Sequence, residues 1–150
     1  MKVGYDLYYK LLNVALKELK GEKVVALRDV KIIIALDAYV PEWFVESEDD
    51  RLKLITEISA LESQKSAQEF LHNLESTLGK VPNEVQNLAK ISVLKNLCQK
   101  VGARQVQVNE DGFKLYFYEK NDLIFSQKAT ILQNLNHLLA DLEKQIPQNS

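Results

Sequence analysis

Apolar residues recur at spacings of three and four along most of the chain, which is the period of an amphipathic helix. Capping residues before several of these stretches and glycines after them mark helix N- and C-termini, and together with the period they predict five helices. They are Tyr5–Lys20, a helix capped by Ser47 and running to about Leu61, Ser66–Leu78, Glu84–Val101 and Ala129–Lys144. Glu84–Val101 is apolar over most of its circumference, so we expect it to be the most buried helix. In the helix after Ser47, we expect Leu52, Ile55 and Ile58 on the buried side.

A period of two follows Gly102 and indicates strands. Gln105–Asn109 and Phe113–Glu119 alternate around Glu110-Asp111-Gly112, which predicts a hairpin. Leu123–Ser126 is a short candidate for a further strand. Lys31–Leu36 carries three consecutive isoleucines, a pattern typical of a strand covered on both faces. The sequence therefore predicts an α+β fold, with helices packed around a small, mainly antiparallel sheet of three or four strands.

The segment that follows the isoleucine-rich strand, Asp37–Val45, is too aromatic for an ordinary solvated loop. It carries Tyr39, Trp43 and Phe44, and Pro41 favours an extended conformation at the residue before it. We expect an ordered segment that its aromatic rings hold in place.

Composition narrows the class of protein. The 150 residues are 46% hydrophobic and 27% charged, as in a single globular domain. We expect a cytoplasmic location and no membrane contact, because no apolar run approaches the roughly 18 residues of a membrane span and the N-terminus lacks a signal-peptide layout. The single cysteine excludes a disulfide framework and fits a reducing compartment. A net charge of −2 gives no support for binding nucleic acid over the whole domain.

Candidate chemical groups are few, and each has a structural explanation. His72 and His137 are far apart in sequence, and Cys98 lies on an apolar helical stripe, as a core thiol does. The remaining groups are acids that crowd a helix start, where they interact favourably with the helix dipole, and a basic run that we expect to be a solvated face. The acids are Glu46, Glu48, Asp49 and Asp50, and the basic run is Lys90, Lys95, Lys100 and Arg104. We therefore expect no catalytic, cofactor-binding or metal-binding residues.

Five segments in order along the chain resemble the C-terminal domain of the bacterial transcription-repair coupling factor. They are Val3–Leu12, Asp37–Pro41 after an isoleucine-rich strand, Arg51-Leu52, Gly79–Pro82 between two helices, and Leu97–Gly102 before the hairpin. The resemblance extends over about Val3–Glu119, which is most of the chain.

The resemblance implies a non-catalytic regulatory domain of an ATP-dependent DNA translocase that acts in transcription-coupled nucleotide excision repair. It implies a single domain over 1–150, with a junction helix at 1–21, a core at 22–119 and a terminal segment and helix at 120–150. ATP and Mg²⁺ would belong to motor lobes that this chain lacks. The full-length parent would engage RNA polymerase, DNA and UvrA.

In the family, this domain clamps onto an N-terminal module that resembles UvrB, hides the surface that recruits UvrA and represses the motor. The resemblance places the partner-binding face on the helix and joint from Ser66 to Pro82. Where the family commonly has two acids and an arginine, this chain has Asn73, Ser76 and Thr77, which cannot make charge-assisted contacts of the same strength. Arg51 belongs either to a partner face or to a structural ion pair. The alternatives are an accessory nucleic-acid-binding domain, a freestanding adaptor and a small enzyme of unknown type.

Overall fold

The computed structural model describes residues 29–146 of the chain. The predicted helix Tyr5–Lys20 and the last four residues lie outside this range. Within it lie four helices and one four-stranded sheet, so the predicted α+β fold is confirmed. The helices are α1 (Glu48–Ser59), α2 (Gln64–Leu78), α3 (Asn83–Val101) and α4 (Ile131–Gln145), and the strands are β1 (Lys31–Ile34), β2 (Ala103–Asn109), β3 (Gly112–Phe117) and β4 (Leu123–Ser126).

The chain divides into two compact units, and the boundary falls within α3 between Val93 and Leu94. The helical unit, Asp37–Val93, contains α1, α2 and the first part of α3. The sheet unit comprises, among the described residues, 29–36 and 94–146, and it contains the four strands, the rest of α3 and α4. The domain boundaries inferred from the resemblance stay a prediction.

The sheet has the strand order β1-β2-β3-β4, with β1 parallel to β2 and the other two pairs antiparallel. This confirms the mainly antiparallel sheet and the short fourth strand. The prediction that β1 is covered on both faces is wrong: Ile32 and Ile34 are buried, but Ile33 is 38% exposed. Successive side chains of a pleated strand point to opposite faces, and the described part of the chain covers only one face of β1.

The predicted hairpin is confirmed, and its two-residue loop is Glu110-Asp111, since Asn109 pairs with Gly112. The backbone N–H of Asp111 donates to the side chain of Asn109 at 2.8 Å. Gly112 has a φ of +135°, and a Cβ atom there would lie 1.9 Å from the carbonyl oxygen of Phe125 on β4. Glycine is therefore required both by the backbone conformation and by the close approach of the next strand.

Helix α4 is capped by Thr130 and Gln133, which bond reciprocally to each other's backbone N–H, and it lies against β2 and β3. Asn134, a polar residue on its buried side, has no exposed surface. Its Nδ2 donates to the carbonyl oxygens of Asn109 at 2.8 Å and Gln127 at 3.2 Å, and its Oδ1 accepts from Gln127 Nε2. One amide side chain thus ties α4 to the end of the hairpin.

In the helical unit, α1 begins after Ser47 as predicted, and the Ser47 side chain accepts a hydrogen bond from the backbone of Asp50. Ile55 and Ile58 are buried, but the prediction for Leu52 is wrong, because Leu52 is 53% exposed. The buried arc of α1 is centred between Leu54 and Ile55, which leaves Leu52 at its margin.

Helix α3 is buried along most of its length, as its sequence predicts. Val85, Ala89, Ile91 and Leu94 have no exposed surface, and neither does Cys98, which confirms the thiol as a core group. Burial raises the pKa of Cys98 from 9.0 to about 12, because the thiolate has no favourable surroundings there.

Replacing Gly112 with alanine should lower the free energy of unfolding by about 3 kcal/mol, through backbone strain and the collision with Phe125. Gly102→Ala is the matched control, since Gly102 also has a positive φ, of 78°, but a Cβ would meet nothing within 4 Å. It should cost only about 1 kcal/mol. Urea unfolding measures both values, and equal costs would contradict the close approach of β4.

The raised pKa of Cys98 makes stability depend on alkaline pH. Above pH 9 the unfolded thiol loses its proton while the folded thiol keeps it, so stability must fall as pH rises towards 12. The slope contributed by this group reaches about 1.4 kcal/mol per pH unit. At neutral pH the wild type should be more stable than Cys98→Ala because the alanine leaves a cavity, and this advantage should shrink steadily between pH 9 and 12. A pH-independent difference would show that the thiol titrates normally.

Candidate partner-binding face

Helix α2 begins with a capping box built from two serines. Ser63 is the N-cap, and its hydroxyl accepts from the backbone N–H of Ser66 at 3.1 Å, while the Ser66 hydroxyl accepts from the backbone N–H of Ser63 at 3.2 Å. The helix begins at Gln64, so the prediction that Ser66 opens it is wrong by two residues. Ser66 is the third helical residue, and either serine would suit the cap from composition alone.

The apolar stripe of α2 is only partly covered. Ala67 is its only buried residue, whereas Phe70, Leu71 and Leu74 are half-buried and Leu78 is 46% exposed. Half-covered apolar surface of this kind is available to a partner without any unfolding of the domain.

Asn73, Ser76 and Thr77 lie together on one exposed face of α2, at spacings of three and four residues. We call these three residues the α2 face. The hydroxyls of Ser76 and Thr77 donate to the carbonyl oxygens of His72 and Asn73, at 3.1 and 3.2 Å. These two donors are satisfied within the helix, so the α2 face is neutral and weakly polar. Its role in partner binding stays a prediction.

The joint after α2 fixes where this face points within the helical unit. Gly79 ends the helix, and its N–H donates to the carbonyl oxygen of Glu75 at 2.9 Å. Val81 and Pro82 are buried. The carbonyl oxygen of Pro82 accepts from the first turn of α3, and Gln86 Nε2 donates to the carbonyl oxygen of Val81. Hydrogen bonds thus order the short connection from α2 to α3.

The segment Asp37–Glu46, which we call the strap, is ordered in a different way from the one predicted. Two of its three rings are largely in solvent, since Trp43 is 72% exposed and Tyr39 is 39% exposed, and only Phe44 is half-buried. The buried residues are Ala38, Val40 and Pro41. The exposure of Trp43 was not predicted, although its neighbours Pro41 and Glu42 are typical of a turn, where a large ring is hard to bury.

Arg51 has a structural role, and among residues 29–146 it acts through hydrogen bonds to backbone carbonyls rather than through an ion pair. Its Nη1 atom donates to two backbone carbonyl oxygens at the end of the strap, those of Val45 at 2.9 Å and Glu46 at 2.7 Å. The side chain thereby joins the strap to α1.

The basic run is not a solvated face throughout. Lys95 is only 5% exposed, and burial lowers the pKa of Lys90. The Arg104 guanidinium lies 5.2 Å from the centre of the Tyr116 ring. The prediction was wrong for Lys95 because α3 is buried around most of its circumference, so that even a lysine falls inside. The run therefore does not form a continuous exposed basic patch.

His72 borders the α2 face, since its carbonyl oxygen accepts from the Ser76 hydroxyl, whereas His137 is part of the contact between α4 and β4. His72 is exposed on α2, and His137 stacks on Phe125, with ring centres 4.4 Å apart, while its Nε2 lies 3.2 Å from Asp141. In residues 29–146, no group of three His, Cys, Asp or Glu side chains is arranged to hold a metal ion. None of the helices in that range combines the length and hydropathy that a membrane crossing requires.

The chain is similar in sequence to the transcription-repair-coupling factors of several bacteria. The transcription-repair-coupling factors of Rickettsia typhi and Escherichia coli are each 27% identical to this chain over 124 residues, which is 81% and 79% of the chain and 11% of each relative. The factor of Buchnera aphidicola is 22% identical over 149 residues, or 96% of the chain and 20% of the relative. The chain thus spans between about a tenth and a fifth of the length of these curated relatives.

A solved crystal structure of the C-terminal domain of a transcription-repair coupling factor has the same fold. The TM-score is 0.61 at 15% sequence identity, and the match covers 78% of this chain and 95% of that one. The sequence model of the TRCF domain matches residues 34–128, from the end of β1 to just before α4. More than half of the chain is included in that match, and the chain belongs to the TRCF domain family.

Proposed function

We propose that this chain is the non-catalytic regulatory domain of a transcription-repair coupling factor, a DNA translocase of the cytoplasm. In this proposal the domain binds the N-terminal UvrB-like module of the same protein. Bound there, it covers the surface that recruits UvrA and holds the motor in a repressed state. ATP and Mg²⁺ act in the motor lobes of the parent protein, not in this domain.

The observation that carries the proposal is the incomplete burial of α2. A helix with one buried residue and an apolar stripe that ends in an exposed leucine has surface to offer a partner. Beside that stripe, Asn73, Ser76 and Thr77 form the α2 face. Membership of the TRCF domain family supports a protein partner, because the relatives are much longer multidomain proteins.

A contact within one polypeptide does not need high intrinsic affinity. The connection between two domains raises their effective concentration, so a neutral interface without ion pairs can still be closed most of the time. A weak contact is also easily replaced by a competitor, as a regulatory clamp requires. Engagement of RNA polymerase elsewhere on the parent would open the clamp by favouring the open state, and UvrA would then bind the uncovered surface.

Nucleic-acid binding by this domain is the weaker alternative. Phosphate contacts need an exposed basic surface, whereas the basic run includes the buried Lys95 and the net charge is −2. A freestanding adaptor would use the same α2 face, and the difference would lie in the identity of its partner.

Asn73→Arg should weaken binding to the separately produced N-terminal UvrB-like module by about tenfold or more, because the new charge and bulk would have to be desolvated in a neutral interface. Arginine is a better helix former than asparagine, so the substitution should not destabilise α2. Isothermal titration calorimetry with both purified partners measures the effect.

The matched control is Asn121→Arg, which makes the same change at an exposed turn before β4. Binding should be unchanged in this variant. If Asn73→Arg and Asn121→Arg bind equally well, the α2 face is not the contact. If the wild-type domain does not bind the separate module, the domain and the module should be joined by a flexible linker, and the protection of the joined protein from a protease should be measured. Equal protection with and without Asn73→Arg would then refute the clamp at this face.

A neutral face also predicts weak dependence on salt. Between about 0.01 M and 1 M salt the screening length falls from about 30 Å to about 3 Å, which would strongly weaken a contact made by ion pairs. Here we expect the dissociation constant to change by less than about threefold, since exposed ion pairs would contribute little. Titrations across a salt series test this, and a steep dependence would indicate that charged residues outside the α2 face form the contact.

A further inference from the structure

Trp43 is a large apolar residue on the surface of a rigid segment. It is the only tryptophan of the chain and is 72% exposed, although burial of such a ring contributes strongly to stability in a core or an interface. The ring of Phe44 meets it edge-on, with centres 6.0 Å apart. The fold therefore leaves most of this side chain in water.

The exposure of Trp43 does not come from a loose loop, because the strap is fixed on both sides of it. Before Trp43, the backbone N–H of Tyr39 donates to the carbonyl oxygen of Glu84 at 3.3 Å. The side-chain Nδ2 of Asn87 donates to the carbonyl oxygen of Asp37 at 2.9 Å. Around it, the carbonyl oxygen of Pro41 accepts from the backbone N–H groups of residues 44 and 45.

After Trp43, Arg51 holds the end of the strap through its two bonds to carbonyl oxygens. A ring presented on a backbone that is already ordered loses little conformational entropy when a partner covers it. Rigid tryptophans of this kind are typical of the residues that dominate binding at protein interfaces.

The charge around Trp43 defines the partner. Residues 37–50 contain six acids and no lysine or arginine. Glu48, Asp49 and Asp50 are explained by the helix start, but Glu42 and Glu46 lie in the strap, outside any helix, and are exposed. An acidic rim repels phosphates and complements lysine and arginine.

We infer that Trp43, with Glu42 and Glu46, is a docking site for a basic polypeptide surface that has an apolar pocket for the indole ring. The site is distinct from the α2 face and does not depend on the function proposed for that face. The partner supplies lysines or arginines opposite Glu42 and Glu46, and the indole supplies the apolar contact.

The test uses the 150-residue chain and a synthetic helical peptide of leucine and lysine, with a second peptide in which glutamate replaces lysine. Binding of the lysine peptide should be saturable and should shift the Trp43 fluorescence to shorter wavelength as the ring leaves water. With fluorescently labelled peptide, Trp43→Ala should weaken binding about tenfold or more. The double variant Glu42→Gln, Glu46→Gln should weaken it several-fold, because it removes the charge complement.

Two control variants distinguish a docking site from nonspecific binding of the peptide. Ile124→Ala removes another exposed apolar side chain, 62% exposed on β4, and Glu69→Gln with Glu75→Gln removes two exposed acids from α2. Both should change affinity by less than about twofold, as near-neutral positions do. The inference would be overturned if Trp43→Ala and Ile124→Ala had equal effects on affinity. It would also be overturned if the glutamate peptide bound with similar affinity, or if the lysine peptide showed no saturable binding.

Discussion

Strand β2 is the constraint on which the sheet unit depends, because it pairs on both edges and also lies against α4. Its register places Val106 opposite Ile32 on one side and Leu115 on the other, and all three side chains are buried. A slip of one residue at either edge would turn this apolar row to the opposite face. The hairpin loop and the side chain of Asn134, which bonds to the carbonyl oxygen at the end of β2, both support the register from the same end of the strand.

The two surfaces proposed to bind partners, the α2 face and the strap around Trp43, have a common physical basis. Capping serines and the bonded joint stabilise α2, while backbone carbonyls and Arg51 stabilise the strap. In neither case does the order of the segment depend on burying the side chains that face outward. Those side chains can therefore differ between members of the family at little cost to the fold, which is consistent with the neutral residues of the α2 face. The proposed regulation through weak and replaceable contacts would use this separation, because the residues that stabilise the fold are not the ones that would bind a partner.

The periodicity of the sequence was sufficient to predict the helices after Ser47, the hairpin and the small sheet, because each depends on local pattern and turn chemistry. It was insufficient where the outcome depends on which neighbour covers a side chain. Ile33 and Leu52 are as apolar as their buried neighbours, and only the packing of the elements determines that they face solvent. Lys95 and Asn134 are the converse cases, polar residues that the fold buries. For the candidate site, the pattern placed the α2 face on one side of a helix, but it gave no sign of how little of the adjoining apolar stripe is covered.

The parallel pairing of β1 with β2 also has a consequence for the order in which the sheet unit can be completed. The hairpin and β4 are neighbours in the chain, so they can form soon after that stretch leaves the ribosome. Strand β1 is made much earlier, yet its partner residues Gln105–Val108 follow only after α1, α2 and α3. Throughout that interval β1 lacks the strand with which it pairs in the finished sheet, and its unpaired backbone groups form an aggregation-prone edge. The lysine at the start of β1 and the shortness of the strand then protect the nascent chain as well as the finished domain.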